Sequence, residues 1–294
     1  MTVQRTLARV VTSPAPEPGF MGAGHTAVRV IDLGGAGFAL TDPFIGLMDD
    51  RVERSGLPLG EAHPHAGFET VTFMLDGYVQ DRDEGPLEAG DVLWMTAGSG
   101  VIHNEDVTST GRVRLLQLWL ALSKSERWAE PRFQRIPRAS VPVRREPGVE
   151  LLLYSGRSGD LRSPTLNHVP VTLADVRLEP GATVAQELPA SYNGFLVVLE
   201  GAVRVGPDAV RVDADQVGWL DRPAAAADSV LELVADANGA RVLLYAGEPT
   251  GDPVVVQGPF VGDTREDNTQ SFNRYLNGEF VRMSALTETV PGQA

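Results

Sequence analysis

Two short segments of the sequence carry side chains whose types and spacing suit a metal ion. The first segment contains His63 and His65, and the second contains His103 and Glu105. In a β-strand, side chains two residues apart point to the same face, so each pair would share one face. Two neighbouring strands would then present three imidazoles and a carboxylate to a single point. We interpret the two pairs as the ligands of one mononuclear metal site.

This interpretation depends on the combination of the two pairs, because a single histidine on an apolar face is more often a core residue than a ligand. The two remaining histidines, His25 and His168, have no ligand-like neighbours in the sequence. We expect both of them to be structural or exposed. Gly98 and Gly100 are expected to form the tight turns that bring His103 into the site, since glycine reaches positive φ without a steric penalty.

Composition excludes several classes of protein. The chain has no cysteine, so it can form neither disulfides nor thiolate metal sites, and any metal must bind to nitrogen and oxygen. A net charge of −14 without a large lysine or arginine cluster argues against nucleic-acid binding. No apolar run reaches the roughly 18 to 20 residues of a membrane span, and no secretory signal is recognisable at the N-terminus. We expect a soluble, cytoplasmic protein that is a monomer.

The elements that must position the site are short β-strands. Segments rich in Val, Leu and Thr are separated by Gly, Pro and Asp, which is typical of β-sandwiches and barrels. Strands are predicted over residues 70–75, 91–95, 112–122, 171–178, 195–199 and 240–245. One helix is predicted near the C-terminus, with Asp263 or Thr264 as N-cap and Asn277-Gly278 as its end. We expect this helix to pack across a barrel or the barrel interface.

An internal repeat indicates two barrels. Residues 69–77 can be laid over 193–201, and residues 90–94 over 215–219. The economical explanation is two β-barrels of one kind in tandem. We predict an N-terminal metal-binding barrel over 1–134, a linker over 135–148, and a C-terminal metal-free barrel with the helix over 149–294.

The linker prediction comes from the segment 132–145, where five arginines stand among prolines. The metal-free prediction comes from the repeat. The positions equivalent to the four ligands hold Glu187, Pro189, Asp228 and Val230, none of which is a histidine.

The same segments resemble the pirin family. The resemblance is carried by Asp42-Pro-Phe, by His63-Pro-His-Ala-Gly-Phe-Glu-Thr-Val-Thr72 and by the run from Gly90 to Glu105, and it continues through Gln117-Leu-Trp119, Glu130-Pro-Arg-Phe133 and Gly258-Pro-Phe-Val261. Pirins are bicupins whose N-terminal barrel binds a metal, usually iron, through three histidines and one glutamate. The resemblance implies an all-β fold of two tandem cupin (jelly-roll-like) barrels facing each other, with a short C-terminal helix. It implies the metal ligands His63, His65, His103 and Glu105.

The metal itself is less constrained than its ligands. Imidazole with carboxylate suits Fe, Ni, Cu, Mn and Zn, and the family resemblance favours Fe²⁺. Glu69, a metal ligand in many other cupins, is expected to be structural or to lie behind the ligands. Gln117, Trp119, Phe68 and Asp50 are candidates for the wall of the site, although packing is the better explanation for the two aromatic residues.

The resemblance implies two functions of different classes. As in pirins with quercetinase-like activity, a flavonol would bind the metal through its 3-hydroxyl and react with O₂ in a ring cleavage that releases carbon monoxide. Glu105 would then be both ligand and catalytic proton acceptor. In the alternative, the redox state of the iron changes the affinity of the first barrel for a protein partner, such as a transcriptional regulator or a metabolic enzyme. A storage or housekeeping cupin with a structural metal is a third alternative.

Overall fold

The structure is a computed structural model that describes residues 2–19, 22–32, 37–55, 62–81, 83, 85–104, 108–223 and 228–290. Most of this part of the chain is β-strand, and it contains two α-helices. The predicted all-β class is therefore confirmed. None of the helices in these ranges is long and apolar enough to cross a membrane.

The elements follow one another in chain order as short segments. The first half contains β1 (Val3–Gln4), β2 (Leu7–Thr12), β3 (Glu17–Pro18), β4 (His25–Ile31), α1 (Phe38–Thr41), β5 (Phe44–Ser55), β6 (Ala62–His65), β7 (Phe68–Asp76), β8 (Tyr78–Asp81), β9 (Gly85–Glu88), β10 (Val92–Thr96), β11 (Val101–Asn104), β12 (Thr108–Ala121) and β13 (Arg132–Ile136). The second half contains β14 (Val143–Glu146), β15 (Val149–Ser155), β16 (Arg157–Ser158), β17 (Leu161–Arg162), β18 (Val171–Leu178), β19 (Thr183–Pro189), β20 (Asn193–Val205), β21 (Val210–Asp213), β22 (Gln216–Leu220), β23 (Asp228–Gly247), β24 (Val255–Gln257), β25 (Phe260–Gly262), α2 (Arg265–Leu276) and β26 (Val281–Arg282). Each of the six predicted strands is present.

The chain forms two compact units that differ from the predicted domains at both ends of the sequence. Unit 1 contains Met1–Ser13 and Val141–Pro249, and unit 2 contains Pro14–Ser140 and Thr250–Ala294. Backbone pairing explains the difference. β2 pairs with β22 in unit 1, whereas β26 pairs with β11 in unit 2. The N-terminal segment therefore belongs with the second barrel, and the C-terminal segment belongs with the first.

The arginine-rich segment predicted as a linker over 135–148 is mostly strand. β13 pairs with β10 in unit 2, and β14 pairs with β15 in unit 1. Only residues 137–142 lie between these two strands, and they include a short 3₁₀ turn. Three of the arginines form ion pairs, in which Arg135 binds Glu288, Arg144 binds Glu146 and Arg145 binds Glu150.

Unit 2 is built on a nine-stranded sheet with the order β13-β10-β7-β12-β5-β4-β3, to which β8 and β9 are attached. A three-stranded sheet, β26-β11-β6, and the β24-β25 hairpin complete it. Side chains on one face of the large sheet form an apolar core together with residues of β11 and the C-terminal segment. Its members include Val52, Met74, Leu93, Met95, Val101, Val113 and Met283.

Unit 1 has a ten-stranded sheet with the order β14-β15-β18-β23-β20-β22-β2, in which β1 and β19 also pair with β23, and β21 pairs with β20. Its apolar core includes Leu151, Val176, Leu196, Val203, Leu233 and Leu244. Burial of these side chains supplies the main stabilisation of the unit.

The internal repeat is confirmed at the level of strand register. In unit 2, Val71 lies opposite Trp94. The repeat maps this pair onto Phe195 and Trp219, and these residues lie opposite each other in unit 1. The two units therefore share the same pairing of corresponding strands, as the tandem-barrel interpretation requires.

The predicted C-terminal helix is α2, and both of its ends follow the sequence signals. Thr264 is the N-cap, and its side chain forms a reciprocal capping box with Asp267. The helix ends at Leu276 with Asn277 as its C-cap, and Gly278 follows with φ of 73°. The helix packs against the β24-β25 hairpin of unit 2, where Asn268 donates a hydrogen bond to the carbonyl of Val255.

Candidate metal centre

Two neighbouring strands of unit 2 bring three of the four predicted ligands together. β6 and β11 are antiparallel, and His63 lies directly opposite His103 in their register. His65 shares the face of His63 because it is two residues further along β6. The metal-binding atoms of the three imidazoles all lie within 4.8 Å of one another. In the described part of the chain, this is the one group of His, Asp and Glu side chains with such a geometry.

The three rings face a common point. The Nε2 atoms of His63 and His103 are 2.9 Å apart. The ring centroid of His65 lies 4.8 Å from that of His63 and 5.0 Å from that of His103. His65 and His103 are buried, whereas His63 is half-buried and is therefore the most exposed member of the cluster.

The environment keeps at least one of these imidazoles neutral. Burial lowers the pKa of His65 well below its usual value, and the neighbouring His103 and His63 lower it further. A backbone hydrogen bond at Pro259 acts in the opposite direction. His65 is therefore uncharged near neutral pH, which is the form of imidazole that binds a metal ion.

Glycines allow the backbone to approach closely on both sides of the cluster. Gly67 follows the ligand strand with φ of 87°, and a Cβ at this position would lie 1.8 Å from the carbonyl oxygen of Val261. Gly98 and Gly100 precede His103 with φ of 46° and 126°. Their predicted role in a tight turn is confirmed. Gly100 also leaves room for the ring of Phe280, which a Cβ would approach to 2.4 Å.

The C-terminal segment of unit 2 braces the ligand strands. β26 pairs in parallel with β11, which carries His103. Ala66, the residue after His65, donates its backbone N–H to the carbonyl of Pro259 and accepts a hydrogen bond from the N–H of Val261. Arg127 is fully buried nearby, and its guanidinium donates to Asp263 and to the carbonyl of Pro253.

Two aromatic side chains form a wall against the cluster. The rings of Phe68 and Trp119 lie 5.2 Å and 5.6 Å from that of His65, and they are 4.2 Å from each other. The face of β12 that carries Trp119 is called the inner face below. Phe68 and Trp119, both predicted as wall candidates, therefore contact a predicted ligand directly.

The inner face of unit 2 carries both buried and half-buried side chains. Met48, Thr72, Leu115, Gln117 and Trp119 are all half-buried, although they point to the interior by strand alternation. On the opposite face of β12, the alternating leucines are buried. On the same inner face, Met74, Leu93 and Met95 are buried in the core, so these five residues form the half-buried part of that face. Within it, the Thr72 hydroxyl donates a hydrogen bond of 2.7 Å to the side-chain oxygen of Gln117.

The other predicted residues fall in different places. Glu69 is buried on the face opposite to the histidines, where its carboxylate accepts a hydrogen bond of 2.6 Å from Thr96. Glu105 lies outside the described residues. His168 is half-buried in unit 1.

His25 and Asp50 form a pair that sequence reasoning missed. Nε2 of His25 lies 2.8 Å from Oδ1 of Asp50. The two residues are far apart in the chain and belong to no recognisable motif. The only available signal was that both fall on inward-pointing strand positions, which requires the register of β4 and β5 to be known.

Two family models match this chain, one in each half of the sequence. The family model described as Pirin matches residues 38–120, and the model described as Pirin C-terminal cupin domain matches residues 173–281. The chain belongs to the pirin family. The first match contains all three clustered histidines. The second match spans most of unit 1. It also includes α2, which belongs to unit 2 in this structure.

Individual pirin relatives and solved structures agree with this assignment. A Pseudomonas aeruginosa protein provisionally named quercetin 2,3-dioxygenase is 39% identical over 234 residues, which cover 75% of this chain and 78% of that protein. The crystal structure of a quercetin 2,3-dioxygenase from Acinetobacter baumannii matches with a TM-score of 0.81 at 26% identity, over 95% of this chain and 99% of that chain. A bacterial pirin from Escherichia coli in complex with nickel(II) shares the fold, with a TM-score of 0.61 at 20% identity over 82% of this chain and 99% of that chain.

Proposed function

We propose that this pirin binds a metal ion through His63, His65, His103 and Glu105 and uses it to oxygenate a flavonol with O₂. The observation that carries the proposal is the convergence of three imidazoles, one of them half-buried, beside the half-buried ring of Trp119. Relatives named as quercetin 2,3-dioxygenases support the choice of reaction.

The donor set fits a divalent transition metal. Three imidazole nitrogens and one carboxylate would leave coordination positions for substrate and dioxygen, which is typical of non-haem iron sites. Fe²⁺ is the metal that we propose. Nickel is the first alternative, because the Escherichia coli pirin was solved with nickel(II). Copper, manganese and zinc accept the same donors.

The metal would supply Lewis acidity toward the substrate hydroxyl and the redox chemistry needed for dioxygen. The residues of the chain have the other roles. Glu105 accepts the proton of the 3-hydroxyl, and a carboxylate held beside that oxygen suits this task. Trp119, which is half-buried and packs on the buried Phe68, offers a flat surface against which an aromatic ring can pack. In the overall reaction, the flavonol and O₂ are converted into a ring-opened ester and carbon monoxide.

The proposal is tested by metal content and oxygen consumption together. Protein purified without chelators is analysed for metals, loaded anaerobically with Fe²⁺, and assayed with quercetin on an oxygen electrode. We expect about one metal per chain and quercetin-dependent oxygen uptake. The His63→Ala protein should lose both, whereas His168→Ala, a histidine outside the cluster, should retain both.

Iron bound at the cluster without oxygen uptake on any flavonol would overturn the dioxygenase proposal. The remaining alternative would then be a protein whose metal regulates partner binding. A partner that is captured from cell extract by the wild type and lost with His63→Ala would favour that alternative.

A further inference from the structure

A small pocket lies on the surface of unit 2, between α2 and the turn over residues 124–128 that follows β12. It has a volume of about 300 Å³ and is lined by Trp128, Gln270, Ser271 and Arg274. All four residues belong to unit 2, and none of the clustered histidines lines the pocket. The volume is at the small end of the range for ligand pockets, which suits a molecule of one ring. We call it the Trp128 pocket.

Trp128 gives the pocket a flat apolar wall. Its side chain is 40% exposed, although it stands between two residues that are firmly held. On one side, the buried guanidinium of Arg127 donates hydrogen bonds to Asp263 and to the carbonyl of Pro253. On the other side, the carbonyl of Ala129 accepts the N–H of Ser99. The indole ring is therefore presented from a fixed turn, and such pre-ordered aromatic surfaces lose little freedom on binding.

Arg274 gives the pocket a fixed cationic group. Its Nη1 donates a hydrogen bond of 2.8 Å to the carbonyl of Ser99, and its Nε donates to Glu279 at 3.2 Å. The guanidinium also lies over the ring of Phe280, 5.7 Å from its centroid. Among the described residues, Nη2 has no hydrogen-bond partner, and the side chain is 31% exposed. The guanidinium is thus held in place while N–H donors remain for an acceptor in the pocket.

Two further polar groups stand on the same side of α2. Residues three and four apart on a helix are neighbours, so Gln270 and Ser271 lie beside Arg274. The Ser271 hydroxyl donates to the carbonyl of Asp267, which leaves its oxygen as an acceptor. Gln270 is exposed, and its amide forms no hydrogen bond within the described residues. The amide can therefore add a donor to those of the guanidinium.

The charges select the kind of acceptor that the pocket can bind. A carboxylate is planar and matches the guanidinium in geometry, and hydrogen bonds between ionised partners are stronger than neutral ones. Glu279 already offsets part of the charge of Arg274, and the chain has a net charge of −14. A dianion such as phosphate would therefore be repelled more than it is attracted. A single negative charge suits this balance.

We propose that the Trp128 pocket binds a small planar aromatic monocarboxylate. The ring of the ligand stacks on Trp128, and its carboxylate accepts hydrogen bonds from Arg274 and Gln270. The site is separate from the histidine cluster and does not depend on the proposed dioxygenase function. Because the pocket is small and partly open, we expect a modest affinity, with a Kd of about 1 mM for benzoate.

NMR of the tryptophan side chains tests this proposal directly. The full-length protein is labelled with ¹⁵N, stripped of metal by a chelator and titrated with benzoate. The chain has four tryptophans, and the indole N–H resonance of Trp128 is assigned by its loss in Trp128→Phe. We expect a saturable shift of this resonance and little change in the other three. The His63→Ala protein should give the same Kd, because the histidine cluster is not involved.

Three other ligands test the chemical class. Benzamide has the ring without the charge, and cyclohexanecarboxylate has the charge without the flat ring. Each should bind about fivefold to tenfold more weakly than benzoate, since each lacks one of the two recognised features. Inorganic phosphate should not shift the Trp128 resonance. Equal Kd values for benzoate and benzamide would overturn the role of the guanidinium.

Substitutions locate the site. Ligand-observed NMR should show a Kd for benzoate that is about tenfold higher in Trp128→Ala and in Arg274→Gln. Arg274 also holds the carbonyl of Ser99, so the melting temperature is measured for each variant. Gln270→Ala changes an exposed residue and should weaken binding by a smaller factor without loss of stability. Arg265→Gln, at the exposed first turn of α2, is the matched control and should keep the wild-type Kd.

The results that contradict the proposal are equally specific. The proposal fails if benzoate causes no saturable shift of the Trp128 resonance, or if Arg274→Gln and Gln270→Ala both bind benzoate as the wild type does. Binding that disappears in His63→Ala would assign the ligand to the histidine cluster and would overturn the proposal as well. None of these outcomes depends on whether a flavonol is oxidised.

Discussion

His63 and His103 lie directly opposite each other on antiparallel strands, with their Nε2 atoms 2.9 Å apart. The site therefore depends on the register of β6 and β11. A slip of one residue would turn His103 to the other face, since side chains alternate along a strand. The cluster is a property of the folded unit rather than of either segment.

Metal binding should accordingly stabilise unit 2. A ligand that binds only the folded state at 100 times its Kd adds about 2.7 kcal/mol to the free energy of unfolding. For a unit of this size, we expect the melting temperature to rise by about 5–10 °C on metal loading. Differential scanning calorimetry of apo and loaded protein measures this rise. It should be absent in His103→Asn and present in His168→Ala, and an equal rise in both variants would contradict binding at the cluster.

Truncation after Gly262 should destabilise the same unit and weaken metal binding. It removes α2, the strand β26 that pairs with the His103 strand, and the side chains of Phe280 and Met283, which are buried. Burial of each such side chain contributes about 1.5–3 kcal/mol. The melting temperature should fall and the metal content should decrease. Leu276→Ala is the matched control, because Leu276 is 64% exposed, and an unchanged melting temperature in the truncated protein would refute the bracing role.

The histidine cluster was largely predictable because its signals are local. His63 and His65 share a face through a two-residue spacing that any strand imposes. The glycines before His103 indicated a turn from residue type alone, and both have positive φ. Excluding Glu69 from the predicted ligands, in contrast, requires the strand register. Glu69 lies opposite Leu120, and both side chains are on the face that does not carry the histidines.

The unit boundaries were not predictable because they depend on long-range pairing. Arg5 contacts Asp221 across 216 positions of sequence, and no local pattern shows which barrel an N-terminal strand will join. The segment 132–145 was interpreted as a linker from its prolines and arginines. The same composition suits edge strands, and β13 and β14 are the terminal strands of their sheets.

Substitution of Arg5 should destabilise unit 1. Its guanidinium is fully buried and donates to Ser229, to Asp221 and to the carbonyls of Pro189 and Tyr192. In Arg5→Met, the buried carbonyl oxygens lose their donors, and each such group costs about 1–3 kcal/mol. We expect a loss of at least about 3 kcal/mol in the free energy of unfolding, measured with urea.

A lysine at position 5 tests whether charge alone is sufficient. Arg5→Lys keeps the charge but has fewer donors in a different geometry, so it should recover only part of the stability. Gln4→Ala changes an exposed neighbour and should have no effect. Equal stability of wild type and Arg5→Met would show that the N-terminal segment is not held by this residue.

The pH dependence of stability should contain a contribution from Asp49. Burial alone would raise its pKa, but hydrogen bonds from Arg114 and Arg51 outweigh burial, so the pKa lies below its usual value of 3.8. A depressed pKa stabilises the folded state at pH values above the unfolded-state pKa, and this stabilisation is lost as the pH falls through the folded-state value. Asp49→Asn should therefore be less stable than wild type at pH 7 by about 2 kcal/mol, the range of hydrogen bonds to charged groups.

This difference should shrink as the pH falls below 3.8, because the wild-type carboxyl group becomes protonated and then resembles the amide. Urea unfolding of both proteins between pH 7 and pH 3 measures the change. Asp213→Asn is the control, since Asp213 binds Arg211 at an exposed position and such pairs contribute little. A difference between Asp49→Asn and wild type that stays constant over this range would mean that the ion pairs of Asp49 do not stabilise the fold.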